Sequence, residues 1–408
     1  MLVHVLRRLF LVLALVPGVS LLLTGQESPN ISRNASDQGA RQKAMALFNE
    51  GKRLEALPLL EELARKNPKD GEVLVALAAS LVEHAATLAD ADAAAEERFR
   101  ARALLQKASA MGNPSPLAEN LRQLLEELPA NGAIKFSDNP EVQKVMSAGE
   151  AAFARREFDE ALKDYAKALE LEPANYSAAL FTANTYDKKN DFAKAAEWYE
   201  RSIRMDSNVE TAYRYFADML AKQGDMAKAR SMLIHAAVAE PYNKMVWREI
   251  RAWAIINKTA FNIVVVGIPM PPKNDLSAGE KESAELSSAW RAYYSVKSEW
   301  KKGGRFAMQF PQEAEYRHSL PEESEALTAA ARVLEQLKAN PKTAKSVADN
   351  PAALLLKLHE AGLIDPYVLF SLGDDGIAKN YIAYRAKNRD KLETYMDKFV
   401  MPPVPVTH

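Results

Sequence analysis

The sequence predicts an all-α protein built from stacked helix pairs, with a mostly helical C-terminal region. The main sign is a 34-residue period, seen where Ala161, Ala195 and Ala229 follow one another at that spacing. Larger apolar residues repeat at the same spacing at Phe158, Phe192 and Met226. Within each segment, apolar residues recur every three or four positions, which is the period of a helix and not of a strand. A fixed period of this length indicates a stacked repeat rather than a single-core enzyme domain.

Three consecutive units carry this period without a gap. They run over residues 142–175, 176–209 and 210–243. Near the start of each unit stands a small residue, in turn Gly149, Ala183 and Ala217. Two helices approach closely where their side chains are small, so we expect Gly149 to lie against Ala161 of the same unit.

Turn residues separate the two helices of each unit. Asn190-Asp191 and Gly224-Asp225 occupy equivalent places, and Gly, Asn and Asp tolerate the left-handed geometry that a short turn between helices requires. Pro173 and Pro241 are expected to end the second helices of their units, because proline cannot continue a helix.

These units resemble the tetratricopeptide repeat family. That family has small residues at set positions, larger apolar residues between them and often a proline near the end of the unit. Gly149, Ala161, Ala168 and Pro173 fill positions 8, 20, 27 and 32 of the first unit. The second unit departs from the pattern, with serine at its last two marked positions. The resemblance covers residues of about 40–241, and it implies an α-solenoid of helix-turn-helix repeats.

Degenerate helical repeats of the same kind are predicted over residues 37–128. The distance from Pro68 to Pro114 is 46 residues, which exceeds one period by 12. The excess falls in the alanine-rich run 85–95, and alanine is the best helix former, so we expect longer helices there. The stretch from Pro129 to Ala133 reads as a linker before the second array.

The second array is predicted to occupy residues 140–258 and to end in a capping helix over Met245–Asn257. Residues 259–400 are expected to form a mostly helical domain of unknown type. Within it, the β-branched run 262–268 is either one strand or an extended crossing. Residues 401–408 form a proline-rich tail.

The N-terminus has the features of an export signal. Arg7 and Arg8 precede an apolar run from Leu9 to Leu23, and these 15 residues are short for a membrane span, which needs about 20. No clean cleavage site follows, so residues 1–25 are either a signal peptide or a signal anchor. We therefore predict an exported protein that is periplasmic, extracellular or anchored in a membrane by residues 9–23.

Composition excludes several classes of function. The chain has 408 residues and no cysteine, so disulfides, thiolate metal sites and a cysteine nucleophile are excluded. Its formal net charge of -1 gives no field that favours nucleic acid. The six histidines form no metal-ligand pair at helical spacing, and no phosphate loop or dinucleotide fingerprint occurs. We therefore predict no enzyme activity, no metal and no cofactor.

The family resemblance implies a binding groove lined by the first helices of the repeats. Carried over to this chain, the groove residues are Gln143, Met146, Glu150, Phe153, Leu180, Asn184, Asp187, Lys188, Arg214, Asp218 and Lys222. This mixture of apolar, amide and charged side chains suits an extended peptide or a helix of a protein partner. The predicted function is an exported scaffold for protein–protein interaction, in the assembly of an envelope or secretion complex by analogy of fold.

Two alternatives place the function in residues 245–408. One is an enzyme whose repeats recruit a partner; it requires converging carboxylates or a histidine in a deep pocket. The other is a cell-wall or carbohydrate binder that uses the aromatic and basic cluster between Trp290 and Arg305, and it requires Trp290 and Trp300 to be exposed on one face. In the Gly373–Gly376 stretch we expect a turn with Asp375 capping the next helix, and not a calcium site.

Overall fold

The computed structural model describes residues 35–88, 90–112, 115–127, 135–269, 286–302 and 304–403. The predicted signal, the linker at 129–133 and the last five residues of the tail lie outside them. The described residues form helices and no strand, which confirms the all-α prediction. In this part of the chain, no helix combines the length and apolar character needed to cross a membrane.

The chain divides into two compact units, residues 1–207 and 208–408. The helices of unit 1 are α1 (Ala35–Asn49), α2 (Arg53–Lys66), α3 (Gly71–Thr87), α4 (Ala91–Ala110), α5 (Pro116–Glu127), α6 (Pro140–Ala154), α7 (Phe158–Leu171), α8 (Tyr176–Lys188) and α9 (Phe192–Met205). Each packs mainly against its neighbours in sequence, as stacked helix pairs do.

The lengthened unit of the first array contains two long helices, as its alanine content predicts. Helix α3 has 17 residues, α4 has 20, and together they form the most extensive helix pair of unit 1. Nearly all of α3 is buried, because helices pack on several of its sides. Asp70 caps its N-terminus by accepting a hydrogen bond from the Val73 amide at 3.3 Å.

The turns inside the repeats are left-handed at equivalent positions. Arg156 has a φ of 65° and Asn190, 34 residues later, has a φ of 60°. A Cβ added to Gly149 would meet the Tyr165 ring at 2.6 Å. The glycine therefore makes room for an aromatic ring of the second helix.

Unit 2 begins with the third repeat. Its helices are α10 (Glu210–Lys222), α11 (Met226–Ala239), α12 (Lys244–Ile256), α13 (Ser287–Lys302), α14 (Arg305–Gln309), α15 (Leu320–Ala339), α16 (Ala344–Ala348), α17 (Ala353–Glu360), α18 (Ile364–Ser371), α19 (Asp375–Ala378) and α20 (Tyr381–Tyr395), and a π-helical turn (Met396–Val400) follows α20. Pro241 follows the end of α11, as predicted.

The C-terminal helices of unit 2 pack on its repeat helices. The Tyr381 hydroxyl donates to the Val238 carbonyl at 2.6 Å, and Arg230 Nε donates to the Met401 carbonyl at 2.8 Å. Helices α13 and α15 form a second, extensive pair. The region after the repeats is therefore joined to α11 through buried hydrogen bonds as well as apolar contact.

Residues 259–269 form an extended crossing and not a strand. The Asn262 amide donates to the Val400 carbonyl at 2.8 Å, and the Val266 amide donates to the Tyr367 hydroxyl at 3.2 Å. Val264 and Val266 are buried and Val265 is exposed, so the side chains alternate although no strand among the described residues pairs with the segment.

In the C-terminal region, the carbohydrate alternative loses its requirement and the predicted helix cap is wrong by one residue. Trp290 and Trp300 are both buried, at 4% and 5% exposed, so they do not form the open sugar-binding face that the carbohydrate hypothesis requires. The cap of α19 is Asp374 and not Asp375: its carboxylate accepts hydrogen bonds from the amides of Gly376 and Ile377.

Candidate functional site

In unit 1, a tyrosine of the second helix holds a polar residue of the first helix in two successive repeats. The Tyr165 hydroxyl donates to Glu150 Oε1 at 2.5 Å, and the Tyr199 hydroxyl donates to Asn184 Oδ1 at 2.8 Å. Both tyrosines are buried, and both pairs repeat at the 34-residue spacing. The predicted groove residues Glu150 and Asn184 are therefore fixed in place by the repeat itself.

The environment of the Glu150 carboxyl favours its neutral form. Burial raises the pKa of its carboxyl to about 8, although the hydrogen bond from Tyr165 acts in the other direction. Burial and the nearby Glu150 raise the pKa of the Tyr165 hydroxyl well above its usual range, so the tyrosine stays a donor. Glu150 Oε2 is buried and accepts no hydrogen bond from the described residues. A buried carboxylate without a second donor is costly to ionise.

We expect Glu150→Gln to stabilise the protein at alkaline pH and to have little effect at pH 5. The folded pKa is above the unfolded one, so the stability due to the neutral carboxyl is full below about pH 4.5 and is lost as the pH rises through about 8. The variant should gain about 4 kcal/mol over the wild type between pH 5 and pH 9, since one pKa unit corresponds to about 1.4 kcal/mol. Urea unfolding at both pH values measures this, with the exposed Glu160→Gln as control; an equal pH profile for the wild type and Glu150→Gln would contradict it.

The other predicted groove residues of unit 1 fall into two groups. Met146 and Leu180 are fully buried, so they are core residues and the prediction that they line an open surface is wrong. Gln143 is half-buried, and its Oε1 accepts a hydrogen bond from the Phe136 amide at 2.6 Å, which ties the preceding segment to α6. Phe153 packs against Phe158.

The remaining two residues of α8 stand near its C-terminus. Asp187 is half-buried and Lys188 is exposed. Lys188 is thus the predicted groove residue of unit 1 whose charge is fully presented to solvent.

In unit 2, Arg214 is a buried ion-pair residue and not an exposed groove residue. Its guanidinium is fully buried and donates to Glu249 Oε2 at 2.6 Å and to Glu210 Oε1 at 2.8 Å. Glu210 is also fully buried, one turn earlier on α10. The two carboxylates satisfy the guanidinium within the unit, so the prediction that Arg214 meets a partner is wrong. Asp218 and Lys222 on the same helix are exposed.

Comparison with known proteins identifies the repeats. A family model described as tetratricopeptide repeat matches residues 146–210. Residues 146–210 carry tetratricopeptide repeats. The matched segment contains the two tyrosine-held pairs of unit 1, so the prediction made from the 34-residue period is confirmed over these residues. Arrays of this family are scaffolds for protein–protein interaction, which is the function class that the sequence predicts.

Several solved structures are similar over part of the chain. A crystal structure of MamA has 17% identity, with 53% of this chain and 99% of that chain covered and a TM-score of 0.26. MamA 41-end from Desulfovibrio magneticus RS-1 has 16% identity, with 52% and 98% covered and a TM-score of 0.25. The tetratricopeptide repeat domain of P58(IPK) has 15% identity, with 88% and 97% covered and a TM-score of 0.26. TM-scores this low establish no shared arrangement, and no function is transferred from these proteins.

Beyond the tetratricopeptide repeats, unit 2 contains a cluster of ionisable residues that the sequence does not reveal. His318 Nδ1 lies 2.8 Å from Asp374 Oδ2, and His318 Nε2 lies 2.7 Å from Glu323 Oε2. Lys297 Nζ lies 2.7 Å from Glu322 Oε1 and 2.8 Å from Glu323 Oε2. Its members come from α13, α15 and two loops, so they are far apart in sequence and no short motif marks them.

The geometry of this cluster favours a charged histidine. Each ring nitrogen of His318 faces a carboxylate, so both carry a hydrogen in the arrangement that satisfies both contacts. Burial lowers the pKa of His318, but the hydrogen bonds to Glu323 and Asp374 raise it more, and the net direction is upward. Because both nitrogens are engaged, the imidazole joins the loop before α15 to the loop before α19 and is not free to act as a general base.

We expect the stability of unit 2 to fall as the pH rises through the folded pKa of His318, which lies above the usual histidine value. A raised histidine pKa gives stability that is fully present below the unfolded value and is lost as the pH rises through the folded value. His318→Gln should remove this part of the pH dependence and cost about 1 kcal/mol at pH 6. Thermal unfolding between pH 6 and pH 9 measures it, and His359→Gln is the control; a variant that keeps the wild-type slope would refute the assignment.

Proposed function

We propose that this protein is an exported scaffold that binds an extended or helical segment of a partner protein along the first helices of its tetratricopeptide repeats. The supporting observation is the repeated tyrosine pair, which fixes Glu150 and Asn184 at the same place in consecutive repeats. Side chains fixed before binding lose little entropy when a partner docks, so they are suited to recognition. Assembly of an envelope or secretion complex remains the role that we propose for such a scaffold.

The polar character of this surface indicates the kind of contact that it makes. The Asn184 side-chain amide can exchange hydrogen bonds with the backbone or amide side chains of a peptide without a charge to desolvate. Lys188 adds an exposed cation at the end of α8. We therefore expect a partner segment that is mainly polar, with an acidic residue opposite Lys188.

We also propose that the protein has no catalytic activity of its own. The tetratricopeptide repeats are a binding architecture, and the acid–base cluster around His318 has its histidine bound on both sides. No group of three or more acidic or histidine side chains among the described residues is arranged to hold a metal. The burial of Trp290 and Trp300 removes the main support for carbohydrate binding.

A photo-crosslinking experiment tests the groove. In one variant, a photoreactive phenylalanine analogue replaces Lys188. In the control variant it replaces Lys163, an exposed lysine on the second helix of the preceding repeat. In cells of the source organism, we expect a crosslinked protein at position 188 and none at position 163. The same crosslinked protein at both positions, or none at 188, would exclude binding along the first helices of unit 1.

Export is tested separately. The proposal requires residues 1–25 to direct the chain across a membrane, and residues 9–23 to remain as an anchor if no cleavage follows. Intact-mass measurement of the chain recovered from its own cells distinguishes a processed from an unprocessed N-terminus, and protease added to intact cells or spheroplasts reports the side of the membrane. A chain protected in spheroplasts and degraded only after lysis would refute export.

A further inference from the structure

Helix α12 and the extended crossing after it expose an apolar and basic surface. None of the predicted groove residues belongs to this surface. Four aliphatic side chains project into solvent: Ile255 is 78% exposed, Ile256 77%, Ile263 78% and Val265 60%. A helix that closes a repeat array is expected to present a polar outer face. Two adjacent isoleucines at the end of α12 depart from that expectation and indicate a contact with an apolar phase.

Helix α12 and the extended crossing are joined at this surface. Lys244, Arg248, Arg251 and Ile255 are spaced by four, three and four residues, so they form one stripe along α12. The Arg251 guanidinium lies over the Phe261 ring, 5.5 Å from its centroid. Ile263 and Val265 follow Phe261 at intervals of two in extended backbone, so they lie on the same side of the crossing. We call the surface formed by Arg248, Arg251, Ile255, Ile256, Ile263 and Val265 the isoleucine face.

The exposed charged side chains of this region are all cationic. Between residues 244 and 269 the cations are Lys244, Arg248, Arg251 and Lys258, all of them exposed. The one acidic residue is Glu249, and it is directed to the buried Arg214. None of the four cations forms an ion pair with a described carboxylate. The isoleucine face therefore combines exposed aliphatic side chains with exposed cations.

We propose that the isoleucine face docks on an anionic lipid surface. Exposed apolar side chains beside unpaired cations match the boundary of such a bilayer, where acyl chains lie beneath anionic head groups. Side chains that are 60–78% exposed project from the surface and do not line a cleft. A fluid bilayer can close around projecting side chains, whereas a folded acidic partner would need a recess to receive them. Contact is expected at the interface only, since no described helix spans a membrane.

The absence of cysteine allows the contact to be measured at a single residue in the full chain. Ile256→Cys is labelled with an environment-sensitive fluorophore and mixed with phosphatidylcholine vesicles that contain about one-third phosphatidylglycerol and a nitroxide lipid. Ile382→Cys is the matched control, because Ile382 is 72% exposed on α20 in the same unit. The label reports on its own surroundings, so attachment of the chain through residues 9–23 alone does not quench it.

We expect the nitroxide lipid to quench the label at 256 and not at 382, and we expect quenching to need the anionic lipid. Arg248→Glu should weaken the vesicle affinity about tenfold, whereas Arg332→Glu on α15 should not. No quenching at 256, or equal quenching at both positions, would overturn the proposal. A label that responds to polyglutamate and not to vesicles would overturn it in favour of an acidic protein partner. The proposal stands apart from the groove, since none of the photo-crosslinking positions belongs to the isoleucine face.

Discussion

Arg214→Ala is expected to destabilise the protein by about 3–5 kcal/mol, which is the usual cost of removing one partner from a buried ion pair. The substitution leaves Glu210 fully buried and Glu249 mostly buried, with no cation between them. Two carboxylates that have lost the guanidinium between them must then be desolvated together or take up a proton. The measurement is equilibrium unfolding in urea, read by circular dichroism at pH 7.

Two variants separate the charge effect from a loss of packing. Arg204→Ala removes an exposed arginine that pairs with Glu200 one turn away, and it should cost less than about 0.5 kcal/mol. Arg214→Met combined with Glu210→Leu replaces most of the buried charges by apolar groups and should recover much of the loss. A small effect of Arg214→Ala, or a double variant as unstable as the single one, would show that the ion pair does not hold α10 and α12 together.

The burial of Arg214 is a feature that the repeat pattern does not predict. The period places Arg214 on a first helix, where the family resemblance implies an exposed groove residue. Its burial depends on Glu249, which lies 35 residues further on in a helix outside the three clear units. A repeat pattern fixes which face of a helix turns inward within a unit. It does not fix which side chain meets the helix that closes the array.

The parts of the fold that the sequence predicts well depend on local chemistry. The left-handed turns at Asn190 and Gly224 and the long helices α3 and α4 follow from neighbouring residues and composition. The tyrosine-held pairs also leave a sequence signal, since Tyr165 and Tyr199 are 34 residues apart, as are Glu150 and Asn184. The sequence does not show that the two tyrosine hydroxyls donate to Glu150 and Asn184, because these hydrogen bonds depend on how closely the helices pack.

The C-terminal region is less predictable for a physical reason. The β-branched run at 262–268 fits a strand by propensity, but a strand needs a partner, and this segment contacts helix ends through Asn262 and Val266. Trp290 and Trp300 could be placed on a helix from the sequence but not on its buried side. The cluster around His318 unites residues from Lys297 to Asp374, which are 77 positions apart, and such contacts follow only from the tertiary fold.

Gly149→Leu is expected to destabilise unit 1 by about 3 kcal/mol, near the upper end of what overpacking costs. An added Cβ alone meets Tyr165 Cε1 at 2.6 Å and Cδ1 at 2.9 Å, and Asp164 Cβ lies 3.1 Å away. The ring cannot turn aside cheaply, because it is fully buried and its hydroxyl is bonded to Glu150. The steric cost therefore exceeds the gain of about 1 kcal/mol that replacing a helical glycine normally brings.

Gly39→Leu is the matched control for this prediction. Gly39 is exposed in the middle of α1, and an added Cβ meets no atom within 4 Å, so this variant should be slightly more stable than the wild type. Opposite signs for the two substitutions would show that close packing against Tyr165, and not helix propensity, requires glycine at 149. If Gly149→Leu were as stable as the wild type, the ring would have to move, and Glu150 would then lose the hydrogen bond that fixes it in the groove.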